Sequence, residues 1–311
     1  MKEKHGLLSV EGISKAFPGV QALSDLSMDV YQGEILALVG ENGAGKSTLI
    51  KILSGVYQSD TGEIKIEGQP VNFRTPIEAV QEGVSVVYQE LSLVPNLTVS
   101  ENVFSGRPPS GKLGLMNVSE MNAYTRRMLD HFQVDFGART QVGSLSLGNQ
   151  QLVEIIKALS VNAKILILDE PTSSLSLQEA KILFQRLKRL KEDDITIIYV
   201  SHHLEEVFEI SDRVAVLRDG QYIGTKVTSE TNENEIVGMM VGRALDDMGV
   251  LSGDGEHGEE LLRVENFTRK GEFSDIDFTL HKGEILTFFG LVGAGRTEIA
   301  QSLIGLENPT G

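Results

Sequence analysis

Hydrophobic residues in the first 245 positions follow two patterns. Short, nearly continuous apolar runs are typical of strands that are buried on both faces of a parallel sheet. They occur at Ile35–Val39, Val84–Val87, Ile165–Leu168, Ile195–Val200 and Val214–Leu217. Apolar residues spaced three or four positions apart predict helices, and they occupy Lys46–Leu53, Gln150–Leu159 and Glu179–Leu190. Strands and helices therefore alternate, which predicts an α/β domain with a parallel sheet and helical crossovers.

Two regions depart from this alternation. Apolar and polar residues alternate along Leu7–Ile13, Leu26–Val30 and Glu63–Glu67, which predicts a small antiparallel β layer. Residues 91–160 carry few strand signals and predict a mainly helical subdomain. The expected fold class is thus α/β, with a parallel core, an antiparallel layer and a helical subdomain.

The chain contains a partial copy of itself. Residues 24–55 and 274–305 share 12 identical residues, concentrated on glycines and on a GEIL tetrapeptide. This predicts one domain over 1–245 and the N-terminal part of a second domain over 261–311, in a piece of a longer protein. Residues 246–260 are acidic and Gly-rich, which indicates a flexible linker or, alternatively, an ordered surface loop.

Charge and composition exclude several classes of function. The net charge of −16 argues against a nucleic-acid partner, and the absence of cysteine excludes disulfides and thiol chemistry. The chain has neither a signal peptide nor an apolar run of about 18 residues, so we expect a cytoplasmic protein.

A phosphate-binding loop is the clearest chemical motif. Residues 40–47 read GENGAGKS and match G-x-x-x-x-G-K-[ST] between a predicted strand and a predicted helix. Backbone N–H groups of such a loop can cradle phosphates, the lysine can reach the terminal phosphates, and the serine can bind Mg²⁺. A Gly-rich turn without a ligand is the alternative. The expected nucleotide-binding residues here are Gly40, Glu41, Asn42, Gly43, Ala44, Gly45, Lys46, Ser47 and Thr48.

Two carboxylates follow the apolar run that starts at Ile165. Asp169 is placed to hold Mg²⁺ through water, and Glu170 is placed to polarise an attacking water. On its own, the segment fits an acidic turn equally well.

Residues 145–151, LSLGNQQ, resemble the L-S-G-G-Q signature of the ATP-binding cassette (ABC) family, a group of RecA-like P-loop NTPases. Leu147 and Asn149 depart from that signature. The resemblance implies that the signature contacts nucleotide bound by a partner cassette. The residues to which it assigns this contact are Ser146, Gly148, Asn149 and Gln150.

Other family motifs occur in the same order along the chain. The resemblance implies that Phe17 stacks on adenine, that Gln89 contacts Mg²⁺ and the attacking water, and that His202 contacts the γ-phosphate. The metal ligands are then Ser47, Gln89 and Asp169, and the catalytic residues are Lys46, Gln89, Glu170 and His202. Ser176 stands where the family's S-A-L-D loop has Asp.

Longer segments, such as AFPGVQAL and VYQELSLVPNLTVSEN, resemble the duplicated ATPase subunits of bacterial monosaccharide importers. This implies ATP hydrolysis at the inner face of the membrane, with permease subunits and a sugar-binding protein as partners. A second cassette or a second copy would complete the site, so we expect weak hydrolysis by this chain alone. The alternatives are a translation-factor-type twin cassette, a chromosome or repair ATPase, and a regulatory nucleotide-binding module.

Overall fold

The computed structural model describes residues 6–109, 115–242, 258–288 and 295–308. It divides into two compact units, Met1–Asp247 and Met248–Gly311. Most of the expected linker, residues 246–257, lies outside the described residues. So do residues 290–294, which correspond in the repeat to residues 40–44 of the phosphate loop.

The first unit contains ten strands among its described residues. They are β1 (Gly6–Phe17), β2 (Val20–Tyr31), β3 (Ile35–Val39), β4 (Thr61–Ile66), β5 (Gln69–Val71), β6 (Val84–Val87), β7 (Ile165–Asp169), β8 (Thr196–Val200), β9 (Arg213–Arg218) and β10 (Gln221–Val227). Its described helices are α1 (Lys46–Leu53), α2 (Pro76–Gln81), α3 (Val99–Val103), α4 (Val118–His131), α5 (Leu147–Leu159), α6 (Leu177–Glu192), α7 (Leu204–Ile210) and α8 (Glu233–Val241).

The central sheet has the strand order β10-β9-β3-β8-β7-β6. The pairs β9–β3, β3–β8, β8–β7 and β7–β6 are parallel, as the continuous apolar runs predict. Both faces of this sheet are buried. Leu36 and Ile198 pack on one face with α1, whereas Ile35 and Tyr199 pack on the other with α5 and α6.

The antiparallel layer has the strand order β2-β1-β4-β5. Its strands β1 and β2 are longer than the predicted Leu7–Ile13 and Leu26–Val30, and they pair as far as Phe17 and Val20. The expected helical region, 91–160, carries α3, α4 and α5.

The described residues of the second unit form a two-stranded antiparallel sheet followed by a helix. β11 (Glu260–Arg269) pairs with β12 (Phe273–His281), and α9 covers Arg296–Leu303. Ile285 is 93% exposed, whereas Ile35, its counterpart in the first copy, is fully buried in β3. Residues 285–288 form no strand, because the described part of this unit offers no neighbour like β8 or β9.

Candidate active site

A cavity of about 200 Å³ lies beyond the carboxyl ends of β3, β6 and β7. In parallel sheets these ends share one edge, so the loops that follow them come together. The cavity is lined by Val20, Ala22, Asn42, Gly43, Gly45, Lys46, Ser47, Thr48, Gln89, Asp169 and Glu170.

Glycines shape the loop between β3 and α1. Gly43 and Gly45 have φ angles of 88° and 101°, in the left-handed region that favours glycine. A Cβ on Gly45 would also lie 2.6 Å from a methyl group of Leu23, and a Cβ on Gly40 would collide with the carbonyl of Leu217. The loop therefore packs closely on the neighbouring strands, and side chains at these positions would displace it.

Lys46 is the buried cation of the cavity, with 7% of its surface exposed. Its Nζ donates to the carbonyl oxygens of Gly40 at 2.7 Å and Glu41 at 3.1 Å. Burial lowers the pKa of this ammonium, and the charges of Glu170 and Asp169 act in the opposite direction. These contacts use two of its three donors and hold the amine against the loop.

Asp169 ends β7, and Glu170 follows it in a strained backbone conformation. Burial, together with the charge of Glu170, raises the pKa of Asp169, and Lys46 partly opposes this shift. Glu170 has a φ of 48°, which is uncommon for a non-glycine residue, and its N–H donates to the carbonyl of Val200 at 2.9 Å. Such strain is concentrated at functional sites, since a surrounding structure must maintain it.

His202 reaches the cavity through Glu170. Its Nδ1 lies 2.9 Å from Oε1 of Glu170. The Glu170 side chain is 18% exposed and the His202 side chain 48%. The two side chains thus form a contact between the ends of β7 and β8, at the rim of the cavity.

Three predicted metal ligands line this one cavity: Ser47, Gln89 and Asp169. They offer hydroxyl, amide and carboxylate oxygens, the donor types that Mg²⁺ prefers. The described residues contain no cluster of three or more His, Cys, Asp or Glu that could hold a metal ion. The oxygen donors of Ser47, Gln89 and Asp169 fit Mg²⁺, which keeps several waters and binds through one or two carboxylates together with phosphates.

Phe17 does not line the cavity. Its ring packs edge-on against Tyr57, with centroids 5.3 Å apart, and Lys15 Nζ lies 5.6 Å from its centroid. Its strand partner Val20 is 63% exposed and does line the cavity, together with Ala22. Neither residue was predicted from the sequence, although an apolar residue beside a hairpin turn is a detectable signal.

The residues of the signature segment lie outside the cavity lining. Ser146 caps α5 by accepting from the N–H of Asn149, and the Gln150 amide donates to the carbonyl of Leu145 at 2.9 Å. The N–H of Gly148, near the start of α5, already has a partner. This N–H donates to Oε1 of Glu179 at 3.2 Å.

Residues 23–173 match the profile of the ABC transporter family. The first unit belongs to the ABC transporter family. The match begins in β2, includes the phosphate loop and the signature segment, and ends just beyond Glu170.

Curated relatives extend the likeness into the second unit. A ribose import ATP-binding protein of Jannaschia sp. strain CCS1 is 45% identical over 304 residues, covering 98% of this chain and 59% of the relative. Another ribose import ATP-binding protein, from Geobacillus kaustophilus, is 45% identical over 308 residues, covering 96% of this chain and 60% of the relative. The chain thus spans about 60% of the length of these relatives.

Solved cassettes share the fold. An ABC transporter cassette in its ADP conformation aligns with a TM-score of 0.68 and 26% identity, over 76% of this chain and 99% of that one. A dimeric cassette with bound ADP and phosphate aligns with a TM-score of 0.61 and 25% identity, over 71% of this chain and 98% of that one. The α/β P-loop fold with its antiparallel layer and helical subdomain is confirmed.

The second unit repeats one packing detail of the first unit. Gly295 has a φ of 81° and precedes α9, as Gly45 precedes α1. A Cβ on Gly295 would lie 2.9 Å from the carbonyl of Glu272, and a Cβ on Gly45 would lie 2.7 Å from the carbonyl of Ala22. These positions are 250 residues apart, as in the sequence repeat.

None of the helices in the described residues is long and apolar enough to cross a bilayer.

Proposed function

We propose that the chain is the ATP-binding and ATP-hydrolysing part of a subunit that powers monosaccharide import through a separate membrane permease. The observation that carries this proposal is the cavity in which the phosphate loop, Gln89, Asp169 and Glu170 meet. Likeness to two ribose import proteins supports the transport role.

Each group of the cavity has a distinct task in this proposal. Loop N–H groups and Lys46 bind the phosphates of ATP, and Val20 and Phe17 contact the base. Ser47, Gln89 and Asp169 hold Mg²⁺, which neutralises phosphate charge when bound. Glu170 orients the attacking water and accepts its proton. His202 fixes one oxygen of Glu170, and a carboxylate has a second oxygen for water.

The organisation of the whole subunit is also part of the proposal. Residues 1–245 form the first cassette, and 261–311 begin a second one. The signature at Ser146–Gln150 serves nucleotide held by the second cassette or by another copy of the chain. A sugar-binding protein delivers the substrate to the permease, and the subunit sits on the inner face of the membrane.

The test uses the intact protein with its permease in sealed vesicles. Glu170→Gln should bind ATP but stop sugar uptake, because the amide cannot accept the proton from water. Lys46→Ala should weaken ATP binding, because the buried cation is lost. Glu205→Gln, at an exposed position in α7, is the matched control and should transport normally. Normal uptake by either site variant would contradict the proposed roles.

A further inference from the structure

A single carboxylate oxygen joins the two segments that carry Glu170 and His202. Oε2 of Glu206 accepts hydrogen bonds from the hydroxyls of Thr172 at 2.8 Å, Tyr199 at 2.8 Å and Ser201 at 3.0 Å. Thr172 lies two residues after Glu170, and Ser201 directly precedes His202. Glu206 itself is in the first turn of α7.

The donors to Glu206 are buried. Thr172 is 7% exposed, Tyr199 is fully buried and Ser201 is 1% exposed. Buried hydroxyls are costly unless they are hydrogen-bonded, and Glu206 supplies the acceptor for all three. The three bonds therefore fix the relative positions of the β7 and β8 ends.

The strained backbone of Glu170 needs such support. Two hydrogen bonds support its φ of 48°. The N–H of Glu170 donates to the carbonyl of Val200, and Thr172, two residues later, donates to Glu206. On the other segment, Ser201 Oγ also accepts from the N–H of His203 at 3.0 Å, which fixes the turn around His202.

We propose that Glu206 is a positioning residue that holds Glu170 and His202 in contact for hydrolysis. The inference rests on the proposed ATPase function. Glu206 is absent from the cavity lining and acts only through its hydrogen-bond donors. Misplacing a reacting group by about 1 Å costs on the order of 10²-fold in rate.

The first test measures hydrolysis of MgATP by the intact protein in complex with its permease. Glu206→Ala should lower kcat by about 10²-fold and leave KM for ATP within about threefold, since the phosphate loop is untouched. Glu206→Gln keeps an acceptor oxygen and should recover at least about tenfold of that loss. Glu205→Ala, the exposed neighbour on the same helix, should match the wild-type protein. A parallel fall in kcat, ATP affinity and melting temperature would instead show a merely structural role and overturn the proposal.

The second test requires no turnover, so it separates this proposal from the ATPase function. Side-chain ¹⁵N NMR of His202 reports the contact of its Nδ1 with Glu170, and Glu170→Gln identifies the change caused by altering that contact. Glu206→Ala should produce a similar change, whereas Glu205→Ala should not. An unchanged His202 signal in Glu206→Ala would overturn the positioning role. Failure of the wild-type chain and its permease complex to hydrolyse ATP would overturn only the proposed function.

Discussion

Glu170 and His202 follow the ends of two different strands, and Oε1 of Glu170 lies 2.9 Å from Nδ1 of His202. The contact joins the residue that follows β7 to the second residue beyond β8, at the edge of the sheet where the phosphate loop also lies. The pair couples a carboxylate that can orient water to an imidazole that can stabilise or move a proton.

The first prediction concerns the imidazole. His202→Ala should lower kcat for ATP hydrolysis by about 10²-fold, because Glu170 loses the partner that orients it. Nucleotide affinity should change little, since Lys46 and the loop remain. Steady-state kinetics and binding of a fluorescent ATP analogue measure the two effects. His131→Ala, at a histidine outside the cavity lining, should keep wild-type kinetics; equal losses in both variants would contradict the prediction.

The second prediction concerns the start of the phosphate loop. Gly40→Ala should destabilise the protein by about 1–3 kcal/mol and abolish ATP binding, because the new methyl group meets Leu217 backbone and lies 2.9 Å from the Ala44 side chain. Gly137→Ala is the control, since its Cβ would approach no atom closer than 4.0 Å. Urea unfolding measures the stability of each variant, and binding of a fluorescent ATP analogue measures its affinity for nucleotide. A Gly40→Ala protein that bound ATP normally would refute the packing argument.

The third prediction is a pH dependence at the start of α6. Hydrogen bonds from the Ser176 backbone and hydroxyl, and then from Gly148, lower the pKa of Glu179. A lowered folded-state pKa contributes stability above the unfolded value of about 4.3, and this stability is lost as pH falls through the folded pKa. Glu179→Gln should therefore be less stable than wild type at pH 7 by about 0.3–1 kcal/mol, because the charge at the helix start is lost, and the difference should shrink in acid.

The control for this experiment is Gln178→Ala, an exposed position one residue earlier in α6. Urea denaturation of the three proteins at pH 7 and at acid pH measures the difference. A gap between Glu179→Gln and wild type that stayed constant down to the lowest pH would contradict the assigned cause.

The fourth prediction concerns Tyr199 at high pH. Burial, and then the charge of Glu206, raises the pKa of its phenol. The neutral phenol therefore stabilises the fold fully below about pH 10, where the unfolded side chain titrates, and this stability is lost as pH rises further. Tyr199→Phe removes the ionisable group and one bond to Glu206, so it should be less stable by about 1.5–3 kcal/mol at pH 8.

The difference in stability between wild type and Tyr199→Phe should narrow above pH 10, because only the wild-type protein loses stability by ionising this phenol. Urea unfolding at pH 8 and pH 11 tests it. Tyr222→Phe, whose hydroxyl donates to Thr225 instead, is the matched control for loss of a tyrosine hydroxyl that does not contact Glu206. Identical pH curves for wild type and Tyr199→Phe would show that the phenol does not contribute as argued.

The strongest sequence signals identify elements of the fold almost residue by residue. β3 has the predicted bounds Ile35–Val39 and α1 has the predicted bounds Lys46–Leu53. A continuous apolar run can be buried on both faces only in a covered sheet, and the glycines before Lys46 end the strand and start the helix. Strand β10 was not predicted, because an edge strand that pairs on one side only needs fewer apolar residues.

Some residues of the site could be located from the sequence, and others could not. The phosphate loop and Asp169 could be located because their chemistry depends on residues close together in the sequence. Val20 enters the cavity through the pairing of β1 with β2, and Glu206 meets Thr172 across 34 residues. Such contacts depend on how separate elements pack, which a local pattern does not encode. The resemblance to a family supplied Gln89 and His202, which periodicity alone would not have selected.

The exposed apolar stretch at residues 285–288 affects how the chain behaves in solution. Ile285, Leu286 and Phe288 expose 93%, 36% and 38% of their surfaces, and in the described part of this unit β11 pairs with β12 alone. Unpaired edges and apolar patches of this kind favour aggregation, and like charges on different molecules oppose it. With a net charge of −16, the colloidal stability of this chain should fall as added salt screens its self-repulsion.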